Sequence, residues 1–212
     1  MSEKTYRIWN LGVGWTVFAI ALFTFGSTVE PTASFWDAGE YIATSAKLQV
    51  GHPPGAPFFQ MMGAFFALFA SSPEKIALMV NYMSVFSSAF TILFLFWTIT
   101  LLLRKLPGFK SLETLSERIG FFGSATVGSL AFCFSDSFWF NAVETEVYAM
   151  ATLILAILFW MGLKWEQEMN TPRGDRWLLM IAFVIGLSFG VHFMGLLTIP
   201  VSYTHLRAHE TS

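Results

Sequence analysis

The sequence predicts an all-α, polytopic membrane protein, and three observations carry that prediction. Of its 212 residues, 55% are hydrophobic and only 12% charged, a balance that no water-soluble core of this length needs. Five runs, 11–28, 76–103, 119–140, 147–163 and 177–201, approach the roughly 20 apolar residues that carry a helix across hydrocarbon. The Lys and Arg residues fall unevenly between those runs, as they do when cytoplasmic loops hold them.

The same composition excludes several classes. A formal net charge of −2, with no basic cluster, offers no electrostatic footprint for nucleic acid or for a strongly anionic lipid surface. Cys133 is the one cysteine and lies inside an apolar run, so it forms no intrachain disulfide and supplies no metal or redox motif. Lys4 and Arg7 precede the first run, which has no small-residue cleavage site and therefore reads as a retained anchor.

Taken in order, the second apolar run is the ambiguous one. Residues 58–70 are few, follow Pro57 and stop at Ser71-Ser72-Pro73. If this run does not cross, then Lys4 and Arg7, the loop with Arg104, Lys105, Lys110 and Arg118, and the loop with Lys164, Arg173 and Arg176 share one side. The other side keeps only Lys47 and Lys75. If it crosses, the basic loops straddle the membrane, against the usual asymmetry. The run is therefore expected to be an interfacial or re-entrant helix in the first outer loop. About five spans result, with the N-terminus cytoplasmic and residues 30–75 and 136–146 outside. Asp37, Glu40, His52, Asp136, Glu144, Glu146 and His192 then all fall on or near the outer face.

The first outer loop contains "SFWDAGEYIATSAKLQVGHPPGAP", Ser34 to Pro57. Its first four residues fit a capping box, in which Ser34 caps a helix and Asp37 reaches back to it. Glu40 lies three residues further on the same helix face, where a second carboxylate near hydrocarbon needs a partner or a task. His52-Pro53-Pro54-Gly55 is expected to end that helix and hold His52 beside the carboxyls, within reach of an anionic phosphate or a proton near neutral pH. In the second outer loop, "SDSFWFNAVETEVYAM", Glu144 and Glu146 are expected to open the next span. As helical neighbours at i and i+2 they could not both face one site, and Glu146, followed by Tyr148, is favoured. His192, in "GLSFGVHFMGLL", is an ionisable group near the outer end of the last apolar run, flanked by Gly190 and Gly195 that permit close approach.

The last eleven residues, "SYTHLRAHETS", have no apolar periodicity. His205 and His209 stand at i and i+4, but the stretch resembles a translated adapter or vector tail, to be left out of fold reasoning. The expected division is a transmembrane domain over 1–201 and a non-native tail over 202–212, the whole being an N-terminal fragment.

"FWDAGEYIATSAKLQVGHPPGAP", "FWFNAVETEVYAM" and "GLSFGVHFMGLL" together resemble the N-terminal half of a bacterial family of multi-span membrane proteins, long catalogued as of unknown function. That family is related to the protein O-mannosyltransferases within the GT-C superfamily of membrane glycosyltransferases. The resemblance implies a GT-C-like fold in the inner (plasma) membrane with its active-site loop on the periplasmic face. It implies transfer of a sugar from a polyprenyl-phosphate donor to an acceptor hydroxyl, as on protein Ser or Thr. Asp37 matches the loop carboxylate of the superfamily and Glu40 accompanies it as a catalytic candidate. His52, Lys47, Glu146, Tyr148 and His192 are the substrate-binding candidates. Some members use Mg or Mn, so the metal stays open, and no Arg lies on the proposed outer face to meet a phosphate. Membrane lipid, the lipid-linked sugar and a protein acceptor are the implied partners, and the fragment alone is expected to be inactive. Two other classes fit the apolar runs: a proton- or cation-coupled transporter, whose charges would lie near the midplane, and a non-catalytic membrane scaffold.

Overall fold

The computed structural model describes residues 1–53, 55–109 and 112–197, without the side chains of Gly195 and Leu196. Among these residues the regular structure is all helical, in the order α1 (Glu3–Ser27), α2 (Ala38–Lys47), α3 (Pro57–Ala67), α4 (Ile76–Leu103), α5 (Leu115–Cys133), α6 (Asp136–Ala142), α7 (Val147–Glu168) and α8 (Gly174–Ser188). A 3-10 turn, Pro73–Lys75, leads into α4, and another, Phe193–Leu197, follows α8.

The helices are set by local signals that are easy to name. Ser2 caps α1 through Thr5 N–H, and Thr114 and Glu117 form a reciprocal capping box at the start of α5, which satisfies donors that a helix start leaves open. Pro57 occupies the first turn of α3, where its missing N–H costs nothing. The next two amides, Phe58 and Phe59, donate to the Gly190 carbonyl at 2.8 and 3.2 Å. The chain just beyond α8 thus caps α3. A side chain at Gly190 would meet the Phe58 Cβ at 2.8 Å, so this close approach needs glycine.

Helix α4 is the axis of the fold. It touches α1, α2, α3, α5, α6 and α7 and buries Val80, Val85, Ala89, Ile92 and Phe96. One apolar cluster joins it to α1, α5 and α6 through Val17, Phe25, Phe121 and Phe138; a second joins it to α2, α3 and α7 through Tyr41, Phe59, Met83 and Met150. The ends pair in a way that gives the direction of each helix. Arg104 pairs with Glu3 and lies over the Tyr6 ring at 4.4 Å, and Lys105 pairs with Glu166. The start of α1, the end of α4 and the end of α7 therefore share one end of the bundle. The opposite end gathers the C-terminus of α1, the N-termini of α4 and α7, and the linkers that carry Asp37, Glu144 and Glu146.

Among the described residues, three helices are long and apolar enough to cross a membrane: Glu3–Ser27, Pro73–Leu103 and Val147–Glu168. The expected span over 119–140 is broken. α5 and α6 meet at a 69° bend, because Phe134 ends one helix and Ser135-Asp136 starts another; the pair makes a fourth crossing only if it acts as one broken span. The expected span over 177–201 is corrected as well. Helix α8 has 15 residues and ends at Ser188, about 22 Å of rise against a 30 Å core, and residues 198–212 lie outside the described part. The count of about five spans is thus three or four among the described residues. Helix α3, at 11 residues, is too short to cross, and it packs against α2 and α4.

Candidate functional site

The first outer loop folds differently from its sequence pattern. Asp37, not Ser34, is the residue at the N-cap of α2, in a helical backbone conformation and with no side-chain cap bond. The capping box does not form because Trp36 takes a left-handed backbone, φ 59°, which turns the chain between Ser34 and the helix. α2 also ends earlier than His52. Leu48 is left-handed at φ 49°, its N–H reaches Ser45, and the Gln49 N–H reaches Thr44 at 2.8 Å. This paired closure stops the helix before the prolines act, and residues 49–53 fold back along α2.

That fold-back brings His52 onto both carboxyl groups. The His52 backbone N–H donates to Glu40 Oε1 at 2.7 Å, ring Nδ1 lies 3.1 Å from Glu40 Oε2, and ring Nε2 lies 3.8 Å from Asp37 Oδ2. The His52 N–H, and then its ring, hold the Glu40 carboxyl below its usual range. The three side chains stay open to solvent, at 40% exposed for His52, 57% for Asp37 and 41% for Glu40, so the cluster can meet a ligand. Donor atoms of Asp37, Glu40 and His52 lie within 4.8 Å of one another.

Gln60 of α3 holds the folded-back loop from beneath. With its amide turned so that both ends are paired, its nitrogen donates to the Gln49 and Gly55 carbonyls at 2.9 and 3.2 Å and its oxygen accepts from the Gly51 N–H at 3.2 Å. Tyr41 lies under His52, with ring centroids 5.7 Å apart. Burial first, and then the negative charge of Glu146, Asp37 and Glu40, push its phenol up to about 12, so Tyr41 remains a hydrogen-bond donor near neutral pH.

Glu144 and Glu146 both precede α7 rather than opening it. Glu146 is its N-cap in extended backbone, so the expectation that helical spacing forces the two apart does not apply. Both are buried. Glu146 is pushed up to about 7, by burial first and then by the charges of Asp37 and Glu144, with the backbone N–H groups of Asp37 and Val147 easing the shift; its Oε1 is buried without a hydrogen-bond partner. Because the folded pKa lies above the ordinary 4.5, the folded state holds an extra proton between about pH 4.5 and 7. Its stabilising effect is full below that window and is lost as pH rises through 7. Glu146→Gln, which mimics the protonated acid, is expected to match the wild type at pH 4.5 and to exceed it at pH 8.5 by about 1 kcal/mol or more. Thermal unfolding in detergent at the two pH values measures this. Equal gains at both would refute the assignment.

The other expected site residues divide. Tyr148 faces His192, with ring centroids 5.5 Å apart. His192 stands after α8 rather than within a span, and its Nδ1 accepts the Met194 N–H at 3.2 Å. Lys47 sits in the last turn of α2, ten residues and about 15 Å of rise from Asp37, so the fold does not bring it to the cluster. Asp136 opens α6. The residues that sequence reasoning passed over are the neutral ones, Asn81, Thr145 and Gln60, although a lone amide within an apolar run is itself a signal of a buried polar contact.

Comparison with known proteins identifies the family. The chain matches the family model described as Protein O-mannosyl-transferase TMEM260 N-terminal domain over residues 37–211. Protein O-mannosyl-transferase tmem260 of Dictyostelium discoideum is 22% identical over 200 residues, covering 88% of this chain and 22% of its own length. Protein O-mannosyl-transferase TMEM260 of Mus musculus is 26% identical over 173 residues, covering 81% of this chain and 22% of its own length. The chain thus spans about a fifth of these relatives. No solved structure matches. The family model covers most of the chain, and on that ground the chain belongs to the TMEM260 N-terminal domain family.

Proposed function

We propose that the full-length protein is a GT-C-type glycosyltransferase that moves mannose from a polyprenyl-phosphate donor to a protein Ser or Thr hydroxyl. The observation that carries this reading is the open cluster of Asp37, Glu40 and His52 at one end of the bundle, with Glu146 buried behind it. Its position at helix ends, rather than halfway along a span, favours a transferase over an ion-coupled transporter. The family relatives named as O-mannosyl-transferases support the same reading.

In this mechanism Asp37 takes the proton of the acceptor hydroxyl as its oxygen bonds to the anomeric carbon, and the bond from that carbon to the lipid phosphate breaks. Glu40 anchors the His52 backbone and ring, so that the ring edge nearer Asp37 faces the departing phosphate and stabilises it. Tyr148 and His192 offer aromatic faces beside the sugar. The orientation is N-terminus cytoplasmic and cluster outside. A divalent cation would fit Asp37, Glu40 and His52, because two carboxyls and an imidazole converge there. With it bound, the His52 ring would serve as its ligand in place of contacting the phosphate, and Asp37 would keep its second oxygen for the acceptor proton; the imidazole suits Mn²⁺ better than Mg²⁺, which prefers oxygen donors. When bound, it supplies positive charge at the phosphate.

The test is transfer by the reconstituted full-length protein, with polyprenyl-phosphate mannose and a Ser/Thr peptide. Mannosylated peptide is expected, falling on chelation and returning more fully with Mn²⁺ than with Mg²⁺. His52→Ala is expected to narrow that preference. Absence of peptide transfer with an intact lipid-linked donor would dismiss the reading.

A further inference from the structure

One buried residue ties together the two linkers that carry the carboxyl groups, and the chemistry above leaves it unused. Asn81 lies near the start of α4, fully buried in an apolar helix, where an amide is costly unless both of its ends are paired. Its Nδ2 donates to the Glu30 carbonyl at 2.7 Å and to the Thr32 carbonyl at 2.9 Å, and its Oδ1 accepts from the Thr145 hydroxyl. The carbonyls belong to the linker that runs from α1 to Asp37. The hydroxyl belongs to the linker that holds Glu144 and Glu146.

Neither linker has regular structure; each has only short local bonds, from the Thr32 N–H and hydroxyl to the Glu30 carboxylate and from the Glu146 N–H to the Glu144 carbonyl, and these do not fasten it to the bundle. One backbone contact joins them directly, from the Glu30 N–H to the Val143 carbonyl at 2.9 Å. Asn81 fastens both to a helix packed on most of its sides. Among neutral side chains a carboxamide donates twice and accepts as well, which matches the three groups it meets. Leucine has nearly the same size and meets none of them. The Asp37 N–H meets the Glu146 carboxyl directly, and where the two linkers sit, rather than helix geometry, decides whether that pair is held together.

We propose that Asn81 is a positioning residue for sugar transfer: by clamping both linkers to α4, it sets where Asp37 stands relative to Glu146. Its consequence for activity rests on the transferase reading above; its consequence for geometry does not.

The test uses the full-length protein in a cysteine-free background, with spin labels at Ala33→Cys, on the first linker, and Phe140→Cys, on α6 just ahead of the second. A control pair at Ile8→Cys and Leu102→Cys reports the opposite end of the bundle. The 33–140 distance distribution is expected to be narrow in the wild type and in Thr145→Ser, which keeps the hydroxyl. It is expected to broaden in Asn81→Leu and in Thr145→Val, with the 8–102 distribution unchanged. Transfer should fall by roughly ten- to a hundredfold in the two broadened variants, in kcat rather than KM, and be retained in Thr145→Ser.

Unchanged 33–140 distances in Thr145→Val would overturn the clamp, as would equal broadening at 8–102, which marks general loosening. Broadened distances with undiminished kcat would overturn the role in transfer. Intact distance responses without any transfer by the wild type would instead refute the transferase reading while upholding the clamp.

Discussion

Asp37→Asn in the full-length protein is expected to lower mannosyl transfer by about 10²–10⁴-fold, the range lost when a general base is removed. Folding should be nearly untouched. Asp37 makes no side-chain cap bond to α2, and more than half of its side chain is exposed, so the isosteric amide gives up little native contact. What it gives up is the ability to take a proton. Glu40→Gln should cost less, since an amide oxygen still accepts the His52 N–H that Glu40 now accepts at 2.7 Å. The measurement is transfer from the lipid-linked donor, beside thermal unfolding of each variant. Full activity in Asp37→Asn would remove Asp37 from the chemistry, whereas loss of insertion or folding would recast it as a structural residue.

The second large effect is expected from Gly63→Val, which acts through packing. A side chain at Gly63 would meet Ser45 Oγ at 2.5 Å and Ser45 Cβ at 2.8 Å, both belonging to a fully buried residue of α2. Helices α2 and α3 are therefore in close contact, as small residues permit. Valine is expected to cost roughly 1–3 kcal/mol or more and to part the two helices. Gln60, three residues before Gly63, would then lose its hold on Gln49, Gly51 and Gly55 and loosen His52. A milder Gly63→Ala should be partly rescued by Ser45→Gly, which deletes both clashing atoms, despite the roughly 1 kcal/mol cost of glycine within a helix. Wild-type stability in Gly63→Val, read by thermal unfolding, would refute the contact.

Much of this arrangement is legible along the chain. The long apolar runs announce α1, α4 and α7, and the uneven Lys and Arg mark residues 58–70 as a run that does not cross. Glu40, unexplained by any cap, signals a partner, and His52 is that partner in the structure. The capping box is the instructive miss. Ser34 and Asp37 have the right spacing, but a left-handed Trp36, 86% exposed, intervenes, and nothing in local pattern marks a tryptophan for that backbone. The broken helix at Phe134–Ser135 was announced only faintly, by Ser-Asp inside an apolar run.

The neutral clamps are harder to read. Asn81 and Gln60 are single amides in hydrophobic helices, and their worth depends on carbonyls some 50 residues away in Asn81's case. An unpaired linker carbonyl has no signature in the sequence.

By itself, the sequence determined the all-helical membrane class and the loop in which ionisable groups gather, because hydrophobic length and charge are properties of consecutive residues. Only the tertiary structure decided that His52 folds back onto Glu40 and Asp37, that Glu146 is buried behind them, and that Asn81 joins the two linkers. Those outcomes depend on which buried donors and acceptors find one another across the bundle, a condition satisfied in space and not along the chain.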